Sequence, residues 1–70
     1  MKLRFLGKVS TPGGSPALYA TDRGTYLIQG WKVTHPGTLS QLKIPFRETC
    51  VEVPADLMRY LPAEDRGHAP

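Results

Sequence analysis

Apolar and polar residues alternate in short runs along this chain, and each run stops at a glycine, a proline or a polar turn. Near the start, Leu3 and Phe5 alternate with Lys2 and Arg4. That period of two predicts an edge strand with its apolar face on the core and its charged face in water, ending at Gly7. The stretch Ser10-Thr11-Pro12-Gly13-Gly14-Ser15-Pro16 consists of breakers and predicts a mobile loop. It lacks the Lys beside a Ser or Thr that a phosphate-cradling loop requires.

The clearest local signal is Leu18-Tyr19-Ala20-Thr21-Asp22-Arg23-Gly24-Thr25-Tyr26-Leu27-Ile28. Thr21 to Gly24 fits a type I turn with Gly24 at the positive φ that a bulge needs, between flanks rich in aromatic and β-branched residues, so a β-hairpin is expected. The second strand is read as continuing through Gln29-Gly30-Trp31-Lys32-Val33. Alternation then sets Leu27, Trp31 and Val33 on one face and Tyr26, Ile28 and Lys32 on the other. Both faces carry apolar residues: one covers the core, and the other is either roofed by a helix or open as a contact surface. Gly30 marks a bulge or a close approach.

After Thr34 the pattern turns helical for a short distance. Thr34 or His35 serves as cap, Pro36 suits the first helical position, and Leu39 and Leu42 lie three apart. Pro45 to Glu48 reads as a turn and Thr49 to Val53 as a last strand stopped by Pro54. Pro54 to Leu61 reads as a terminal helix with an apolar stripe of Leu57, Met58 and Leu61 and with Asp56 near its positive end. The expected fold is therefore α+β: a small antiparallel sheet of about four strands around a central hairpin, plus a short C-terminal helix. Residues 1–62 form one domain, and the polar tail, residues 63–70, is expected to be disordered.

Size makes that core thin. A chain of seventy residues buries only about 60% of the surface its unfolded form exposes. Cys50 is the single cysteine, so no internal disulfide reinforces the fold, and reduced, cytoplasmic surroundings are expected. Homodimerisation is the reinforcement that remains. No apolar stretch approaches the roughly 20 residues of a membrane span, and Met1 to Leu6 is too short for a signal peptide. The charge is a mild net +3, with basic residues scattered rather than striped, which disfavours nucleic acid as partner.

Catalytic chemistry has little material. Cys50 sits in a predicted strand with no cationic run or helix start to activate a thiolate, so it is read as a buried packing residue. One cysteine and two histidines, without a Cys-x-x-Cys or His-x-x-x-His pair, make no zinc site. Glu48 and Glu52, four residues apart in extended chain, stand roughly 13 Å from each other, too far to share one bond. No enzyme activity, cofactor or metal is expected.

The aromatic residues carry the functional expectation. Tyr19, Tyr26 and Trp31 fall on the hairpin with Arg23 and Lys32 nearby, and large amphipathic rings beside cations are typical of protein interfaces. Trp31 is read first as core. Tyr19, Arg23, Tyr26, Ile28 and Lys32 are the candidate partner-binding residues, and another protein is the expected partner.

The runs LYATDRGTYLIQGWKV and ETCVEVPADLMRYL resemble those of small actinobacterial proteins, chiefly of the streptomycete type, often encoded near helix-turn-helix regulators. That resemblance implies a regulatory adaptor and transfers no site residue. In Gly30 to Val53, the order Val33-Thr34-x-Pro36-x-x-Leu39-x-x-Leu42-x-Ile44, then Glu48 and a valine-bearing strand, is similar to AbrB-type swapped-hairpin transcription factors. Gly37 and Phe46-Arg47 depart from that pattern. This second resemblance implies a DNA-binding dimer using Lys32, Arg47 and other cations.

Overall fold

A computed structural model of the chain describes residues 1–65. The turn between the hairpin strands is held by one side chain. Thr21 Oγ1 accepts the Arg23 N–H (3.0 Å) and the Thr25 N–H (3.3 Å), and lies 2.7 Å from Thr25 Oγ1. The Thr21 N–H donates to Thr25 O at 2.9 Å, and Gly24 takes φ +75° with open space around it, as the sequence predicts.

Around this turn β2 (Ala17–Thr21) pairs antiparallel with β3 (Tyr26–Gln29), and β1 (Leu3–Lys8) pairs antiparallel with the other side of β2. The sheet order is β1-β2-β3. A second, two-stranded antiparallel sheet joins β4 (Trp31–Lys32) to β5 (Val51–Glu52). Between these strands lies α1 (Pro36–Leu39), one turn long, with Pro36 at its start and the His35 side chain capping the Thr38 N–H. Two 3-10 segments follow, Ala55–Tyr60 and Ala63–Asp65. The expected antiparallel sheet with its hairpin is present, as two small sheets, and helix is scarce.

Three expectations are corrected. The strand expected to run from Tyr26 to Val33 breaks at Gly30. A side chain there would meet Val53 Cγ1 at 2.5 Å and Glu52 O at 2.7 Å, so β5 crosses hard against the backbone and pairs with Trp31 and Lys32. The C-terminal helix is a 3-10 turn. Pro54 and Leu61 flank it in extended conformation, Pro62 enforces the latter, and the six residues between close through i to i+3 bonds, Leu57 N–H to Pro54 O and Leu61 N–H to Met58 O. A period near three sets Leu57 and Tyr60 on one edge, and not Leu57 with Leu61. Finally, β1 does not stop at Gly7.

It bulges there instead. Phe5 pairs with Tyr19 but Gly7 pairs with Leu18, so Leu6 is an extra residue in β1. The Ala55–Tyr60 turn lies across β1 and β2, and the Tyr60 ring fills the space a side chain at position 7 would need, its Cγ 2.2 Å from where that Cβ would sit. Leu18 and Leu57 are fully buried and Ala17 nearly so; they are the buried apolar side chains of the core among the described residues.

The loop after β1 is held rather than loose. Thr11 and Gly14 exchange backbone hydrogen bonds, Val9 N–H donates to Pro16 O at 3.0 Å, and the Trp31 indole N–H donates to Gly13 O at 3.2 Å. Ala63–Asp65, expected within a disordered tail, forms an ordered turn; the remainder of that tail lies outside the described residues.

With so few buried side chains, Leu57→Ala should cost about 2–5 kcal/mol, most of the stability of a domain this small. Gly7→Ala should cost about 1–3 kcal/mol by displacing Tyr60. Urea unfolding followed by circular dichroism measures both. A Gly7→Ala midpoint equal to the parent's would show that Tyr60 does not hold the turn on β1.

Candidate interaction surface

Register decides which side chains share a face of the three-stranded sheet, because directly paired residues point the same way. One face carries Gly7, Leu18 and Ile28, then Arg4, Ala20 and Tyr26. Tyr60 packs on Gly7 from that side, so this is the face the C-terminal turns cover. The opposite face carries Leu3 with Thr21, and next to them the row Phe5, Tyr19 and Leu27.

That second face is open around Leu3 and Phe5, whereas Ala17, farther along the same face, is buried. Leu3 is 51% exposed, Phe5 55% and Leu27 40%. Phe5 and Tyr19 meet edge to face, ring centroids 5.6 Å apart and planes at 62°. Neighbouring strands lie about 5 Å apart, so the three side chains of the row form one continuous apolar strip. A contiguous exposed apolar patch on a small domain, unlike scattered single residues, marks a contact surface. The cause is architectural: a sheet buries an apolar face against another layer, and this chain supplies a layer on one side of the sheet.

The five expected binding residues do not form one patch. Tyr19 lies on the open face. Tyr26 and Ile28 lie on the opposite face, since Tyr26 pairs with Ala20 and Ile28 with Leu18. Arg23 is in the hairpin turn, and Lys32 is in the other sheet beyond the Gly30 break. Leu3, Phe5 and Leu27 were not expected as contact residues. Leu3 and Phe5, expected to face the core, are instead exposed, because the C-terminal turn packs on the face that carries Arg4 and Gly7, which alternation does not encode.

A second concavity lies between β4, α1 and β5, an open cleft of about 590 Å³ with Lys32, His35, Cys50 and Glu52 on its walls. His35 Nδ1 is engaged by the Thr38 N–H at 3.2 Å. Cys50 is half-buried and precedes β5, not the fully buried strand residue expected. Among the described residues no three His, Cys, Asp or Glu side chains converge as metal ligands, and no helix is long and apolar enough to cross a membrane. Phe46 projects from the tip of the Pro45–Glu48 turn, 99% exposed.

On the covered face the Tyr26 hydroxyl donates to Asp65 Oδ2, fastening the last turn to the hairpin. No family model, curated protein or solved structure matches the chain.

The Asp65 carboxylate, by accepting that hydrogen bond, holds the Tyr26 phenol above its ordinary pKa, with desolvation and charge repulsion acting the same way. The folded state keeps this proton to higher pH than the unfolded chain does. The contact's contribution is therefore complete below about pH 10 and lost as pH rises through the higher folded value. Tyrosine ring NMR shifts should show Asp65→Ala returning Tyr26 toward the ordinary value. An unchanged titration would show that Asp65 does not hold the phenol.

Proposed function

We propose that the chain is a small, non-enzymatic protein–protein interaction module whose contact surface is the open face of the three-stranded sheet. The observation that carries this reading is the row Phe5, Tyr19 and Leu27, apolar and contiguous, with Phe5 and Leu27 exposed on either side of a half-buried Tyr19. Aromatic anchors of this kind dominate binding energy where they are found in interfaces. In this reading the protein works in the cytoplasm as an adaptor of a transcription regulator, the setting implied by the actinobacterial resemblance.

One observation favours a second reading, a DNA-binding dimer of swapped-hairpin type. Residues 30–53 run in the order strand, helical turn, strand, with Trp31 paired to Glu52 and Lys32 to Val51. A swapped dimer would make those same pairs between two chains.

Phe5→Ser combined with Leu27→Ser alters exposed positions and should leave the circular dichroism spectrum unchanged. It should weaken capture of the partner by about 30-fold, the ~2 kcal/mol expected of an aromatic anchor. Capture of the same proteins by parent and double variant would sink the open-face reading. A dimeric solution mass with salt-sensitive retention of duplex DNA would establish the second reading in its place.

A further inference from the structure

The outer edge of β1 borders the open face, and its backbone is oriented for use. Main-chain groups of an antiparallel strand alternate between its two sides. Asp22 N–H donates to Lys2 O at 3.1 Å, so Lys2, and with it Arg4, points its backbone inward at β2. Leu3 and Phe5 therefore turn their N–H and C=O groups outward. β1 is a terminal strand of the sheet, and among the described residues no strand pairs with its outer side. The residues with outward backbone are thus the same residues whose side chains lie on the open face.

We infer that this edge accepts an extended segment of another protein as a fourth strand, one that alternates acidic and apolar residues. The inference rests on the interaction-module reading and specifies how that module binds. Residues of the added strand opposite Leu3 and Phe5 prolong the apolar strip, so they are apolar. Those opposite Lys2 and Arg4 fall on the other face beside cations, so they are acidic.

Charge also selects against a second copy of this chain. Residues 1–9 contain Lys2, Arg4 and Lys8 and no acid. An antiparallel pairing of two β1 edges can set Leu3 against Leu3, Leu3 against Phe5, or Phe5 against Phe5. The first places Lys2 opposite Arg4 and the second Arg4 opposite Arg4, while the third runs both copies into the bulge at Leu6. Like charges directly opposite are destabilising, and lysines along an edge are a recognised bar to self-pairing. Lys2 and Arg4 together favour an acidic strand. They lie in the positive part of the molecule: residues 1–29 hold Lys2, Arg4, Lys8 and Arg23 against Asp22 alone, whereas residues 30–65 carry more acids than bases.

The test uses the full chain and a capped peptide of about eight residues alternating Glu and Val. The peptide should bind, more weakly as salt is raised, and should slow hydrogen exchange at the Leu3 and Phe5 amides at least tenfold. Lys2→Glu with Arg4→Glu should weaken it about tenfold and should bind the matching Lys-Val peptide instead. A Glu-Val peptide N-methylated at every Val, whose N–H groups would face Leu3 and Phe5, cannot make those backbone bonds and should fail.

Equal binding of the N-methylated peptide would overturn strand addition while leaving the open face as a docking surface. Protection that appears along β3, at Phe46 or around the cleft would overturn the site. No binding at millimolar peptide would overturn the proposal. Protection of Leu3 and Phe5 in a dimeric, unliganded protein would assign the edge to a second copy, and displacement of the peptide by oligothymidylate would assign it to single-stranded nucleic acid.

Discussion

The core depends on the seating of one short turn on one bulged strand. The extra residue at Leu6 brings Gly7 into register with Leu18, on the face where Leu57 and Tyr60 arrive. Because position 7 has no side chain, the Tyr60 ring comes down onto the backbone of β1. Leu57, one 3-10 turn earlier, is then fully buried over the sheet. A side chain at position 7 would lift the turn away from the sheet and with it the buried Leu57.

This seating also fixes which half of the molecule is left bare. The C-terminal turns supply one layer, and it is spent on the face with Leu18. Phe5 and Leu27 remain exposed on either side of a half-buried Tyr19, their backbone held by strand pairing. A backbone fixed before contact loses little conformational freedom when the surface is covered, which favours recognition. The Asp65 contact to Tyr26 completes the covered side and keeps the two faces chemically distinct.

Features set by a few neighbouring residues were legible in the sequence. The Thr21–Gly24 turn, the His35 cap with Pro36 behind it, and the Pro45–Glu48 turn all depend on hydrogen bonds spanning three or four positions, and all are found. What was not legible depends on distant segments. Gly30 shows as a glycine that permits a close approach, but that β5 makes the approach, and so divides the long strand between two sheets, is decided by Glu52 and Val53. Pro54 and Pro62 bracket the last turn visibly, yet the spacing that selects a 3-10 period also moves Tyr60 onto the sheet and Met58 into solvent. The candidate site suffered most. Tyr19 and Tyr26 look alike in sequence, seven residues apart, and the hairpin register sends them to opposite faces.

The tether from the Trp31 indole to the Gly13 carbonyl has a practical consequence. Trp31 is the chain's sole tryptophan, and its ring sits where the loop after β1 meets the start of the second sheet. Its emission is a local optical probe of that junction, sensitive to the loop lifting away from β4. Phe5, Tyr19 and Leu27 belong to the other sheet, so events on their surface reach the indole only through the loop or the Gly30 crossing. A spectral change on adding a ligand would therefore report communication between the two sheets, and a silent indole would show that the junction stays closed while the open face is occupied.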